Sequence, residues 1–187
     1  MSLALEDCSD GELAALALSG RQSAYTALLA RYREPIFRVV RATIGDNDAA
    51  VDVTQETFVS AFAALKSYDS ERSFKTWISR IAINKCRDWA RRRSVRRFFS
   101  FALPIETAAN VADDTFTADK QISDRAELAR VQAAIATLPQ AIREPLVLRT
   151  IEGMTQAESA QVLGISEKAV ETRLYRARAK LTELLRV

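Results

Sequence analysis

Side chains suited to binding a polyanion gather at two places in this sequence, and side chains suited to a polycation at one. Lys168, Glu171, Thr172, Tyr175, Arg176 and Arg178 fall where a helix presents them on one outward side. These are mostly the residue types that contact phosphates and base edges. Further upstream, FKTWISRIAINKCRDWARRR interleaves Lys75, Arg80, Lys85 and Arg87 with Trp77 and Trp89, and residues 91–97 carry five arginines and no acid. Cations meet phosphates, and aromatic rings stack on exposed bases. Asp52, Gln55 and Glu56 stand at i, i+3 and i+4, so a helix clusters them on one side. That acidic patch reads either as a solvated helix face or as a docking surface for a basic partner. Catalytic chemistry has little to work with. The chain has no histidine, no CxxC between Cys8 and Cys86, no Gly-rich phosphate loop and no paired nucleophile and base. We therefore expect no enzyme, no metal and no cofactor. Cys86 reads as a small core residue in a reduced, cytoplasmic chain.

The elements that must hold these groups are helices. Apolar residues make up 48% of 187 residues, while five glycines, four prolines and few β-branched runs lean the composition to all-α. Thr155 with Glu158 forms a capping box that opens a helix with Ala157, Ala160 and Leu163 inward. Gly164 suits a left-handed turn, Ser166 caps the next helix, and Val170, Leu174, Leu181 and Leu184 give it an apolar seam. A small Ala160, then Gly164, Ile165 and Val170, is the spacing a helix-turn-helix needs, since its two helices cross closely. The same pattern also fits a plain helical hairpin with a solvated basic face.

Towards the N-terminus, Ser9 with Glu12 and Ser19 with Gln22 read as two further capping boxes. The second opens a helix over about 21–43 that contains Pro35, a potential kink. A helix over about 49–65 buries Val51, Phe58, Phe62 and Leu65, and a polar loop follows over 66–73. Ser73 caps a helix over 74–93 with Ile78, Ile81, Ala82, Cys86, Trp89 and Ala90 inward. Trp89 reads as core, whereas Trp77, close to the loop, fits either a core position or a stacking one. Residues 94–123 have weak periodicity and read as a mobile linker with an apolar cluster of Phe98, Phe99, Phe101 and Leu103. Over 103–124, Glu106, Asp113, Asp114, Asp119 and Asp124 stand against the single Lys120, after the arginine run at 91–97. A helix over 124–137 buries Leu128, Val131, Ile135 and Leu138; Pro139 starts another that Gly153 ends. No apolar run approaches the ~20 residues that span a bilayer, so membrane insertion is not expected.

Two segments together resemble one family, the extracytoplasmic-function group of bacterial sigma factors of the sigma-70 type. AYTALLARY, DVTQETF and SFKTWISRIAINKCRDWARRR resemble sigma domain 2. LPQAIREPLVLRTIEGMTQAESAQVLGISEKAVETRLYRARAKL resembles sigma domain 4. The resemblance implies two small helical domains, over 9–95 and 125–187, joined by a flexible linker over 96–124. It implies that Asp52, Gln55, Glu56 and Phe58 dock on core RNA polymerase. It places Phe74, Lys75, Trp77, Arg80, Asn84 and Arg87 at the −10 promoter element, where a base is flipped out of the stack. Asn84 matches a position that lies by the flipped base in relatives, and an amide can both donate to and accept from a base edge. At the −35 element the implied set is Ser166, Lys168, Glu171, Thr172, Tyr175 and Arg176, with Arg173 and Arg178 on phosphate. Promoter DNA, core polymerase and an anti-sigma factor covering both faces are the implied partners. Many relatives have Lys or Arg where this chain has Glu171. That carboxylate can accept from cytosine N4 or pair with Arg173, Tyr175 or Arg178, so a −35 sequence does not carry over. Pro145 also departs from a position often Val in relatives. A helix-turn-helix regulator that does not bind core polymerase is the alternative.

Overall fold

The computed structural model describes residues 5–102 and 119–186, with side chains over 5–99 and 126–186. Among the described residues the regular elements are all helical: α1 (Asp10–Leu18), α2 (Gln22–Ile44), α3 (Asn47–Ala63), a 3-10 turn (Leu65–Ser67), α4 (Phe74–Ala102), α5 (Asp119–Thr137), α6 (Gln140–Thr150), α7 (Gln156–Leu163) and α8 (Glu167–Leu185).

Helices α1 to α4 close around Leu13, Leu28, Ile36, Val40, Phe58, Phe74 and Ile78. Burying one such side chain contributes roughly 1.5–3 kcal/mol. The Ser9–Glu12 capping box forms as expected: Ser9 N–H donates to Glu12 Oε2 at 2.7 Å and the Glu12 N–H to Ser9 Oγ at 3.3 Å. Asp10, at the start of α1, takes Arg31 at 2.5 Å and the Tyr32 hydroxyl, which fastens α1 to α2. The Ser19–Gln22 box does not form. Ser19 Oγ donates back to the Leu16 carbonyl at 2.7 Å, closing α1, and α2 starts without a side-chain cap. Pro35 sits inside α2, and the helix runs through it to Ile44.

A second core gathers Ile135, Leu138, Leu146, Val147, Leu148, Met154, Val162, Leu163, Val170, Leu174 and Ala177. It also takes Val39 from α2 and Ile83 from α4, both fully buried. The two halves therefore share a seam, with α4 against α7 and α2 against α5 and α6. Gly45, which ends α2 at φ +69°, lies where an added Cβ would come within 2.5 Å of the Ala136 Cβ, so α5 approaches the α2 terminus closely.

Some expected inward positions face out. Val51, Leu128 and Leu184 are about half exposed and Ala157 is exposed; on α7 the buried stripe is Ser159, Ala160, Val162 and Leu163. Helix α4 extends to Ala102, nine residues beyond the expected end at 93, so the arginine run is helical. The same stretch carries Phe98 and Phe99, exposed and edge-to-face on each other at 5.9 Å. Phe101, Leu103 and the acids Glu106 to Asp124 lie outside the residues with described side chains.

Candidate nucleic-acid interface

Local chemistry sets up the α7–α8 pair. Thr155 N–H donates to Glu158 Oε2 at 2.7 Å while the Glu158 N–H donates to Thr155 Oγ1 at 3.2 Å. These hydrogen bonds hold the Glu158 carboxyl below its ordinary pKa. Gly164 turns the chain at φ +67°, and Ser166 Oγ accepts from the Ala169 N–H at 3.2 Å to start α8. Gln156 Nε2 ties the helices by donating to the Glu167 carbonyl at 3.0 Å. Val170, Leu174 and Ala177 anchor α8 in the core, leaving the other side free.

That outer side carries Ser166, Lys168, Glu171, Thr172, Tyr175, Arg176 and Arg178, all exposed, with Arg173 half-buried at its edge. Tyr175 is 76% exposed, so its ring is fully presented. Glu171 accepts from Lys168 Nζ at 2.8 Å. Its partner is thus one helical turn before it, in place of Arg173, Tyr175 or Arg178, because i,i+3 neighbours meet on a helix surface. The pair masks one cation of the row and leaves Arg176 and Arg178 to meet a phosphate or a guanine edge.

On α4 the expected set separates. Phe74 is 1% exposed and packs on Tyr32, Tyr68 and Trp77 with ring centroids 5.1–5.3 Å apart. It cannot touch a ligand from there, and serves as the floor under Trp77. Trp77 is half-buried between Phe74 and Tyr68, packed against the first core with part of its surface open. Tyr68, from the polar loop, was not foreseen as a member of this cluster. Arg80 and Asn84 are exposed, and Asn84 Oδ1 accepts from Arg87 Nη1 at 3.4 Å.

Lys75 and Arg87 are engaged by the C-terminal half. Arg87 Nε and Nη2 donate to Glu144 Oε1 and Oε2 at 2.9 and 2.6 Å, a bidentate fork. These bonds raise the Arg87 pKa above its ordinary value. Lys75 Nζ donates to the Glu152 carbonyl at 2.9 Å and lies 3.1 Å from its Oε1. Neither glutamate is signalled by periodicity or motif, since a contact across the seam leaves no local trace in sequence. Cys86 lies beneath this seam, and burial pushes its thiol up to about 12, which leaves no reactive thiolate at neutral pH.

The third set lies on α3. Asp52 and Gln55 are exposed, Glu56 is partly so, and Phe58 is 5% exposed in the core beneath them. Phe58 therefore supports this face and does not meet a partner. Arg92 Nη2 reaches Glu56 Oε2 at 3.2 Å. A groove of about 610 Å³ runs between α3 and α4, lined among others by Asp52, Glu56, Trp89, Arg92 and Arg96. Trp89, expected in the core, is half-buried at this groove with the Arg93 guanidinium over its ring at 5.0 Å. Among the described residues no cluster of three or more His, Cys, Asp or Glu is placed to hold a metal, and no helix is long and apolar enough to cross a membrane.

Residues 28–96 match the sigma-70 region 2 family and residues 128–181 the sigma-70 region 4 family. RNA polymerase sigma factor CnrH of Cupriavidus metallidurans is 43% identical over 95% of this chain and 94% of its own. ECF RNA polymerase sigma factor SigM of Mycobacterium tuberculosis is 31% identical over 95% of this chain and 85% of its own. The fold also matches a solved structure of CnrH in complex with the cytosolic domain of CnrY. The TM-score is 0.69 at 38% identity, covering 94% of this chain and 96% of that one.

Proposed function

The chain belongs to the extracytoplasmic-function sigma factors of the sigma-70 type, and from that premise we propose how its surfaces divide the work. It binds core RNA polymerase and directs promoter-specific initiation. Residues 9–95 dock polymerase and act at the −10 element, residues 125–187 read the −35 element, and 96–124 connect them. Polymerase performs the chemistry, and this chain supplies recognition and melting, in the cytoplasm.

On α3, Asp52, Gln55 and Glu56 present an acidic, exposed face to a basic partner surface on polymerase. On α4, Trp77, Arg80 and Asn84 meet the −10 strand, with Lys75 and Arg87 supplying charge. Unstacking a base there costs a few kcal/mol, offset by contacts to the flipped base. On α8, Arg176 and Tyr175 enter the major groove, Lys168 and Thr172 border it, and Arg173 and Arg178 neutralise phosphate. A dedicated anti-sigma protein holds the factor inactive; the complex formed by the related CnrH with the cytosolic domain of CnrY supports such a partner.

The observation that carries this reading is the exposed row on α8 in the same chain as the acidic face of α3. A helix-turn-helix regulator indifferent to polymerase needs the first and has no use for the second. Purified full-length protein mixed with core polymerase is expected to co-elute with it in gel filtration. Separate elution at micromolar concentrations sinks the assignment.

A further inference from the structure

Helix α4 runs past both cores. Residues 91–99 are all exposed, and none of them joins either core. This end carries five arginines over 91–97 and three large apolar side chains, Val95, Phe98 and Phe99, which are 50%, 76% and 63% exposed. We propose that the end of α4 docks the factor on an anionic membrane surface, with Phe98 and Phe99 among the acyl chains and Arg96 and Arg97 on the lipid phosphates.

Val95, Phe98 and Phe99 stand at i, i+3 and i+4, so they share one face of the helix. The two rings meet edge to face at 5.9 Å, which joins them into one apolar patch. Arg96 and Arg97 fall between these positions in sequence and flank the patch. Residues 89–99 contain no acid. The carboxylates at the base of this extension are matched by its first three arginines: Asp88 by Arg91 at 2.8 Å, Glu56 by Arg92 at 3.2 Å and Asp46 by Arg93 at 3.5 Å. Those three acids therefore set no unmatched negative charge beside the patch.

The apolar patch selects between polyanions. The rise of an α-helix sets Phe98 about 21 Å along α4 from Asn84, so the patch lies apart from the −10 group. Duplex phosphates answer the arginines but give two exposed phenyl rings nothing to bury in. An anionic bilayer answers both, by charge complementarity and by burial. A basic helical face bearing phenylalanine lies in the interface plane, with its rings at the acyl boundary and its cations at the headgroups. Helices in proteins owe most of their stability to tertiary packing of an amphipathic face. The end of α4 lacks that packing, and a bilayer surface supplies it.

The test is co-sedimentation of the full-length protein with vesicles of phosphatidylglycerol and phosphatidylcholine in equal parts, and with vesicles of phosphatidylcholine alone. Binding is expected on the first, weaker at high salt, and near background on the second. Phe98→Ser with Phe99→Ser, and separately Arg96→Ala with Arg97→Ala, are each expected to weaken it about tenfold. All four side chains are exposed, so circular dichroism melting is expected to match the parent. Phe98→Trp keeps an aromatic ring there, and its emission is expected to move to shorter wavelength on the mixed vesicles as the ring leaves water. No binding to the mixed vesicles overturns the proposal, and so does an unshifted emission. Binding that the phenylalanine variant leaves unchanged also overturns it, by assigning the attraction to cations elsewhere, such as the α8 row. Two other occupants have their own signatures in a protein that leaves vesicles unbound, and either replaces the membrane. DNA affinity that falls in the phenylalanine variant assigns the patch to nucleic acid. A dimer in light scattering that the same variant reduces to a monomer assigns it to a second copy of the chain.

Discussion

Glu56 and Arg92 stand 36 residues apart in sequence, yet Arg92 Nη2 lies 3.2 Å from Glu56 Oε2 across the groove between α3 and α4. The acidic face of α3 thus has a basic rim of its own. An exposed pair of this kind contributes only ~0–1 kcal/mol, so a stronger basic surface can displace it.

Reversing that face with Asp52→Lys and Glu56→Lys is expected to reduce core polymerase capture in a pull-down to background. Thermal melting should shift little, because Asp52 is exposed and Glu56 loses only a surface pair. Capture at the parental level removes α3 from the docking surface.

Arg176→Ala is expected to weaken −35 binding by ~1–3 kcal/mol if the guanidinium reads a guanine edge. Selection on a promoter library should show relaxed preference at one position. A uniform loss across sequences assigns Arg176 to phosphate instead.

Two glycine substitutions distinguish backbone strain from crowding. Gly164→Ala meets nothing within 4 Å at φ +67°, so it loses only the left-handed preference, roughly 1–2 kcal/mol. Gly45→Ala carries the same penalty at φ +69° and also drives its Cβ to 2.5 Å from the Ala136 Cβ. Urea unfolding should therefore show the larger loss for Gly45→Ala. Equal losses mean that α5 does not approach the end of α2.

The Thr155–Glu158 box gives a pH signature. Hydrogen bonding to Thr155 lowers the Glu158 pKa from its ordinary 4.5 in the folded chain. The stabilisation is present above that ordinary value and is lost as pH falls through the folded one. Melting curves from pH 7 downward should show parent and Glu158→Gln converging in stability as the pH falls below the ordinary 4.5, since only the parent loses a contribution there. A constant gap between them contradicts the box.

How much was legible depended on the range of each interaction. Capping boxes at Ser9 and Thr155, the Gly164 turn and the outward row on α8 are local, and their residues announce them. Ser19 failed as a cap because its hydroxyl found the Leu16 carbonyl, an equally local competitor. Phe58 and Phe74 carry family positions but sit in the core, since neighbouring aromatic rings and helices enclose them. Trp89 packs against the first core, as expected, but only partly, because it also borders the α3–α4 groove, where Arg93 covers its ring. Glu144, Glu152 and Arg92 were not legible at all. Their roles depend on elements brought together only by the tertiary fold.

As a sigma factor, this chain lets core polymerase start at promoters it cannot otherwise use. The direct measurement is in vitro transcription with purified core polymerase on a promoter library, with and without the full-length protein. Transcripts are expected to depend on the protein, to arise from one class of promoters, and to disappear for Asp52→Lys with Glu56→Lys. Sequence-specific DNA binding with no protein-dependent transcript contradicts it.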